Sequence, residues 1–395
     1  MYFQVFLGLI CAGLISLTVT PIVRVFAYKI GAVDVPKDNR RMHKKPMPLL
    51  GGLSIFTGFS LTALIFCDVT PQMLAAWLGG LLIITIGILD DKYALNAWIK
   101  LLGQIAAAAI AVGFGGVQID HINLFGRYIH FGMFAIPITI VWIVGMTNAI
   151  NLIDGLDGLA CGVSAISSMS LLIVTLMHAD LEVAMLTAIL TGACIGFLPF
   201  NMNPAKIFMG DTGALFLGYM LSILSIIGVF KTTAVVSFLI PVIIFGYPLF
   251  DTVFAFARRI LQGRSQFSAD RGHLHHRIID MGFNVRQSVS ILYCVCSILG
   301  ILAIMLTEQR TAASLVILVV ALIIGLFNYA LIKNKNTRTL TGLQETTEFD
   351  RVVLPDPKKE QQKAEQSAAE QSAAESSAAE QSAAEQPNTS EQKPE

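Results

Sequence analysis

The sequence is short of charge. Only 14% of its 395 residues are Asp, Glu, Lys or Arg, while 54% are apolar. Soluble domains carry about 25% charged residues, so a water-soluble globule is excluded. Cysteine is sparse too: Cys11, Cys67, Cys161, Cys194, Cys294 and Cys296 lie mostly inside apolar runs, and none stands at metal-ligand spacing from histidine. A disulfide framework is therefore not expected, and free buried thiols are. The N-terminal run lacks a basic region and a small-residue cleavage signal, so it reads as a retained first span and not as a removed signal peptide.

What the sequence has instead is long apolar runs. A helix needs about 20 apolar residues to cross a hydrocarbon core. That length predicts an all-α integral membrane protein with about eleven transmembrane helices, near 2–23, 49–67, 72–89, 99–115, 132–149, 160–178, 182–199, 213–230, 233–256, 288–306 and 311–332. The ninth contains Pro241 and Pro248 and is expected to be kinked or broken. The segment 117–132, "VQIDHINLFGRYIHFG", alternates apolar and polar residues about Phe125-Gly126 and predicts a small β-hairpin. Its His121 and His130 read as surface groups.

The formal net charge of zero hides an uneven distribution. Residues 1–332 hold 19 basic and 15 acidic side chains, and residues 333–395 hold 8 and 12. Two domains follow: a membrane-embedded body, 1–332, and a low-complexity tail, 333–395. In the tail Glu365, Glu370, Glu375, Glu380 and Glu385 recur every five residues. That period makes no helical stripe, and with little apolar bulk the tail is expected to be disordered. Within the body, alternate loops differ sharply in basic residues: 16 on one side against Arg127, Lys231 and Arg310 on the other. Positive loops stay inside. The N-terminus is thus expected outside with the hairpin, and the C-terminus in the cytoplasm.

The same asymmetry sorts the polar side chains that interrupt apolar sequence. Asp90, Asp91 and Lys100, then Asn148, Asn151, Asp154 and Asp157, then Asn201, Asn203, Lys206 and Asp211, and finally His273, His275 and His276 all fall on the cytoplasmic side. Helix capping accounts for any one pair of them, but not for five acids and an Arg/His loop on one face. Asn151, Asp154 and Asp157 step by three and would share a face if helical. Asp211, between Gly210 and Gly213, reads both as an N-cap and as a ligand of a divalent ion, since Mg²⁺ takes few carboxylates and leaves positions for phosphate and water. Arg271, His273, His275, His276 and Arg277 offer donors to phosphate or diphosphate. Acids that hold a cation, beside groups that hold phosphates at a membrane surface, point to phosphoryl chemistry on a lipid.

The segments "KKPMPLLGG", "GILDDKYALNAWIKLLGQ", "NAINLIDGLDGLA", "FLPFNMNPAKIFMGDTGALFLG" and "HLHHR" occur in that order. Through them the chain resembles the polyprenyl-phosphate N-acetylhexosamine-1-phosphate transferases over residues 1–332. The resemblance implies transfer of a sugar 1-phosphate from a UDP-sugar to undecaprenyl phosphate with release of UMP, at the cytoplasmic face of the cell membrane. It implies Mg²⁺, with Mn²⁺ as the alternative, and Asp211 as chief metal ligand. Asp90 becomes the base toward the lipid phosphate, with Asp91 supporting it or binding metal, and Asp154 completes the catalytic set. Asn151, Asp154, Asp157 and Asn201 are placed near nucleotide and metal. Lys100 would meet phosphate; His273, His275, His276, Arg271 and Arg277 would meet diphosphate or sugar. One-step displacement is preferred over a covalent aspartyl route.

The "HLHHR" pattern resembles the branch that uses UDP-GlcNAc to start teichoic acids or O-antigens, with teichoic acid as the expected pathway. The alternative branch transfers phospho-MurNAc-pentapeptide in peptidoglycan synthesis. An ion-coupled transporter is the remote alternative, but it would place acids near mid-bilayer and show inverted repeats. The bilayer is the expected environment, a homodimer is compatible with the sequence, and no nucleic-acid partner is expected.

Overall fold

The computed structural model describes residues 2–35, 46–124, 127–230, 238–263 and 272–308. The chain is an all-α integral membrane protein with two minimal β-ribbons. Its helices are α1 (Tyr2–Ile30), α2 (Gly52–Phe66), α3 (Pro71–Tyr93), α4 (Ala97–Gly113), α5 (Ala135–Ile153), α6 (Leu159–Met177), α7 (Leu181–Asn201), α8 (Gly210–Ser225), α9 (Leu239–Ile244), α10 (Gly246–Leu261), α11 (Leu274–Asp280) and α12 (Val285–Thr307). Among the described residues, seven helical stretches are long and apolar enough to cross a membrane, and α2 and α4 are shorter apolar helices. The expected eleventh span and the tail lie outside the described residues.

Short connections make successive helices antiparallel, so their ends alternate between two sides. One side collects the ends of α3, α5 and α7 and the starts of α4, α6 and α8. The other carries the hairpin β3 (His121–Leu124) and β4 (Arg127–His130), antiparallel with His121 opposite His130. A second ribbon, β1 (Val33–Asp34) with β2 (Met47–Pro48), was not expected from sequence. It leads the chain into α2 and docks on the segment before α8: Phe208 N donates to Pro48 O (2.9 Å) and Gly52 N to Met209 O (2.9 Å). Two of the motifs, "PMPLLGG" and "FMGD", are thereby sewn together.

α8 is the axis of the bundle, with 94% of its span buried. It continues into a π-helical turn, Ile226–Phe230. Phe56 and Phe59 of α2 meet Phe216 edge-on, at centroid distances of 5.3 and 5.9 Å. Polar anchors recur between helices: Trp77 Nε1 donates to Ser60 Oγ (2.9 Å) and Trp142 Nε1 to Ser225 Oγ (3.2 Å). Such contacts fix helix pairs where apolar burial alone does not discriminate neighbours, because lipid is as apolar as leucine. The expected break in the ninth span is present at Phe245, where α9 ends and α10 begins.

Candidate active site

The site lies where the ends of α3, α4, α5 and α8 meet. Lys100, in the first turn of α4, places Nζ 2.9 Å from Asp90 Oδ2 and 2.9 Å from Asp211 Oδ2. Asn151, in the last turn of α5, donates from Nδ2 to Asp211 Oδ1 at 3.0 Å. Asp90 also receives the amide of Leu95 on Oδ1 (2.7 Å), which closes the turn after α3. Four helix ends thus converge on one acid–lysine–acid bridge.

Asp91 faces a different way. Its Oδ1 accepts from Asp211 N (2.9 Å), and its Oδ2 accepts from Thr212 N (3.1 Å) and Thr212 Oγ1 (2.6 Å). Asp211 and Thr212 are the second and third residues of α8, whose amides lack intrahelical acceptors. Asp91 therefore does from α3 what an N-cap side chain does locally. Asp211 itself is not the cap, and its carboxylate is left for the pocket. Gly210 is required between them: its φ is +71°, and a β-carbon there would collide with the Asp91 carboxylate.

The step of three from Asn151 to Asp157 does not run along one helix, because α5 ends at Ile153. Asp154 follows as the C-cap and is half-buried. Burial first, then the like charges of Asp211, Asp91 and Asp157, holds its carboxyl well above the usual carboxylate range. Asp157 turns away and accepts on Oδ2 from Asn203 Nδ2 (2.9 Å) and Ala205 N (3.0 Å), tying down the loop after α7. Asn201 is buried: its Nδ2 donates to Ile207 O (3.1 Å), and its Oδ1 has no partner among the described residues.

The histidine loop reaches the same end of the bundle. His275 is 1% exposed and lies against Gly155, where a β-carbon would fall 2.5 Å from Nε2. Burial and the neighbouring His276 push its imidazole down to about 3, so it stays neutral. His273 pairs through Nδ1 with Asp251 Oδ2 at 2.9 Å, and its ring stacks on His275 at 5.7 Å. His276 lies 4.3 Å from the His275 ring. Arg277 spreads over the Phe254 ring, 5.3 Å from its centroid. Arg271 lies outside the described residues.

Three positioning side chains were not anticipated from sequence. Asp251 of α10, 4% exposed, accepts from Leu274 N (2.8 Å) as well as from His273, and so anchors the start of α11. Its signal was present, as the lone acid of an apolar run. Gln104 pairs with Asn148 side chain to side chain, setting α4 against α5 one turn from Lys100 and Asn151. Tyr293 of α12 donates from its hydroxyl to Gly158 O (2.6 Å), holding the turn that starts α6.

Hard oxygen donors suit a hard divalent ion. Asp90 and Asp211 already aim one oxygen each at a single cation, the Lys100 ammonium. Among the described residues no three His, Cys, Asp or Glu side chains close a cage. Mg²⁺ needs none, because water and substrate phosphates fill most of its positions.

The structure is thus a polytopic helical bundle with a lysine-bridged carboxylate pocket at its helix ends. Comparison with known proteins identifies the family. Residues 73–229 match the family model "Glycosyl transferase family 4". The chain is 42% identical over 323 residues, 81% of its length and 90% of the relative's, to a Bacillus subtilis protein named "Probable undecaprenyl-phosphate N-acetylglucosaminyl 1-phosphate transferase". It is 33% identical to a decaprenyl-phosphate N-acetylglucosaminephosphotransferase of Mycolicibacterium smegmatis, covering 71% of this chain and 77% of that one. It is also 33% identical to an undecaprenyl-phosphate alpha-N-acetylglucosaminyl 1-phosphate transferase of Thermotoga maritima, covering 67% and 78%. The chain belongs to glycosyl transferase family 4 and, with it, to the membrane phosphotransferases.

Proposed function

We propose that this protein transfers N-acetylglucosamine 1-phosphate from UDP-GlcNAc to undecaprenyl phosphate, releasing UMP, at the cytoplasmic face of the cell membrane. The names of the relatives support the donor and the acceptor class. The observation that carries the reading is the Lys100 bridge between Asp90 and Asp211, with Asn151 on the far oxygen of Asp211. A phosphoryl-transfer site needs positive charge and fixed donors around the reacting phosphates, and positioning supplies much of its rate. The "HLHHR" segment and the basic loops favour UDP-GlcNAc and the cytoplasmic face. A teichoic acid is the glycan this step would start.

In this reading an oxygen of the lipid phosphate attacks the sugar-bearing phosphorus of the donor. The new P–O bond forms as the bond to UMP breaks, and the electron pair leaves with UMP. Asp90 takes the acceptor's proton where one is present. Lys100 steadies the phosphates by charge, and Asn151 orients the Asp211 carboxylate. Asp211 and Asp154 would hold Mg²⁺, while Asp91, whose oxygens are engaged with α8, keeps Asp211 in place. When bound, Mg²⁺ offsets the charge that builds on the leaving nucleotide. His273, His275, His276 and Arg277 border the donor, and Asp157 and Asn201 shape the loop behind it.

The test is direct. Purified protein with Mg²⁺, UDP-GlcNAc and undecaprenyl phosphate should release UMP and yield a lipid-linked sugar diphosphate. Product only with the muramyl-pentapeptide donor would move the protein to the peptidoglycan branch. No product with any UDP-sugar would overturn the reading.

A further inference from the structure

The hairpin far from the acid pocket brings together two metal-ligating side chains. His121 of β3 and His130 of β4 are direct cross-strand partners. Phe131 N donates to Asp120 O (3.0 Å), so the adjacent 121–130 pair is, by the alternation of an antiparallel ladder, a non-hydrogen-bonded one. Side chains come closest at such pairs. The His121 and His130 rings stand 5.3 Å apart, centroid to centroid. A tetrahedral metal bound by two imidazoles at about 2.0–2.1 Å sets their centroids roughly 5.2 Å apart. Tyr128 shares this face, its ring 5.6 Å from His121. On the alternate positions, Ile122 and Phe131 pack against the helical body and line an apolar cavity of about 480 Å³. Ile122 and Phe131 thus tie the hairpin to the body, while His130 stays exposed and His121 half-buried.

We propose that His121 and His130 form a two-imidazole site for a borderline divalent transition cation, Zn²⁺ above all, on the hairpin. Imidazole nitrogens prefer such ions to Mg²⁺ or Ca²⁺, which separates this site from the oxygen-lined pocket at the other end. Water completes the coordination. The bound ion staples β3 to β4 and stiffens the cavity wall that Ile122 and Phe131 form.

The full-length protein in detergent, stripped with chelator and held in excess Mg²⁺, should take up Zn²⁺ in competition with a chromophoric chelator. The wild type should bind one Zn²⁺ more than the His121→Ala/His130→Ala double variant. Each single variant should weaken that site at least tenfold. Zn²⁺ should also slow amide hydrogen exchange in β3 and β4 of the wild type and leave the double variant unchanged. Equal Zn²⁺ stoichiometry and affinity in wild type and double variant, or wild-type hairpin exchange indifferent to Zn²⁺, would overturn the proposal. The exchange measurement on the wild type alone decides the matter should the variants fold poorly.

Discussion

Lys100 Nζ lies 2.9 Å from Asp211 Oδ2, although 111 residues separate the two in sequence. The contact joins the first turn of α4 to the first turn of α8. It also bridges Asp211 to Asp90, its other partner. Replacing Lys100 with Met leaves two carboxylates facing each other without a cation between them. Turnover of the Lys100→Met variant should fall at least a hundredfold, equivalent to about 2.7 kcal/mol of transition-state stabilisation. Steady-state UMP release checks this, and a near-normal rate would remove Lys100 from the machinery.

Asp90 and Asp91 are neighbours with separable duties. Asp90→Asn keeps an acceptor for Leu95 N but cannot take a proton, so turnover should be abolished while UDP-sugar binding persists. Asp91→Ala should instead cost about 0.5–2 kcal/mol of stability, the usual range for losing a helix cap, and lower activity through misplacement of Asp211. Thermal unfolding combined with donor-binding titration distinguishes them. Equal loss of stability in both variants would refute the division.

The anchoring role of Asp251 predicts a coupled pair. Asp251→Ala should raise the donor KM by tenfold or more, with a smaller change in kcat, because it frees His273 and the start of α11. The double variant with His273→Ala should be little worse than Asp251→Ala alone, since both remove the same contact. Simple additivity would mean that the two act independently.

His275 makes stability sensitive to acid. Its folded pKa, about 3, lies below the ordinary value of 6.5. Between these two values the unfolded chain takes up a proton that the folded chain refuses. Its contribution is therefore complete above pH 6.5 and declines as pH falls toward 3, by about 2 kcal/mol between pH 6.5 and 5. Melting curves from pH 7 to 5 should show a steeper decline for wild type than for His275→Gln. Parallel curves would contradict the buried neutral imidazole.

Much of this was legible in the sequence for physical reasons. Apolar runs of bilayer length mark helices, and helices α1 to α8 fall on them. Asp90, Lys100, Asn151 and Asp211 stood out because polar groups at the ends of apolar helices need a reason to be there. What was hidden is direction. The sequence places Asp90 and Asp91 side by side, but helical rotation sends one to Lys100 and the other under α8. Asp157 steps by three from Asp154, yet α5 stops before it and the chain turns the side chain toward Asn203. Asp251 lies inside the ninth apolar run, where one acid does not interrupt the length that marks a span. The β1–β2 ribbon is two residues wide and has no periodicity to detect.

The most direct measurement of the central claim is UMP release from UDP-GlcNAc in the presence of undecaprenyl phosphate, compared between wild type and Asp211→Asn at saturating Mg²⁺. The account predicts steady Mg²⁺-dependent release by the wild type and a rate at least a hundredfold lower in the variant, with its fold intact. A variant that turns over at the wild-type rate, or a wild type that is inert with every UDP-sugar, would contradict it.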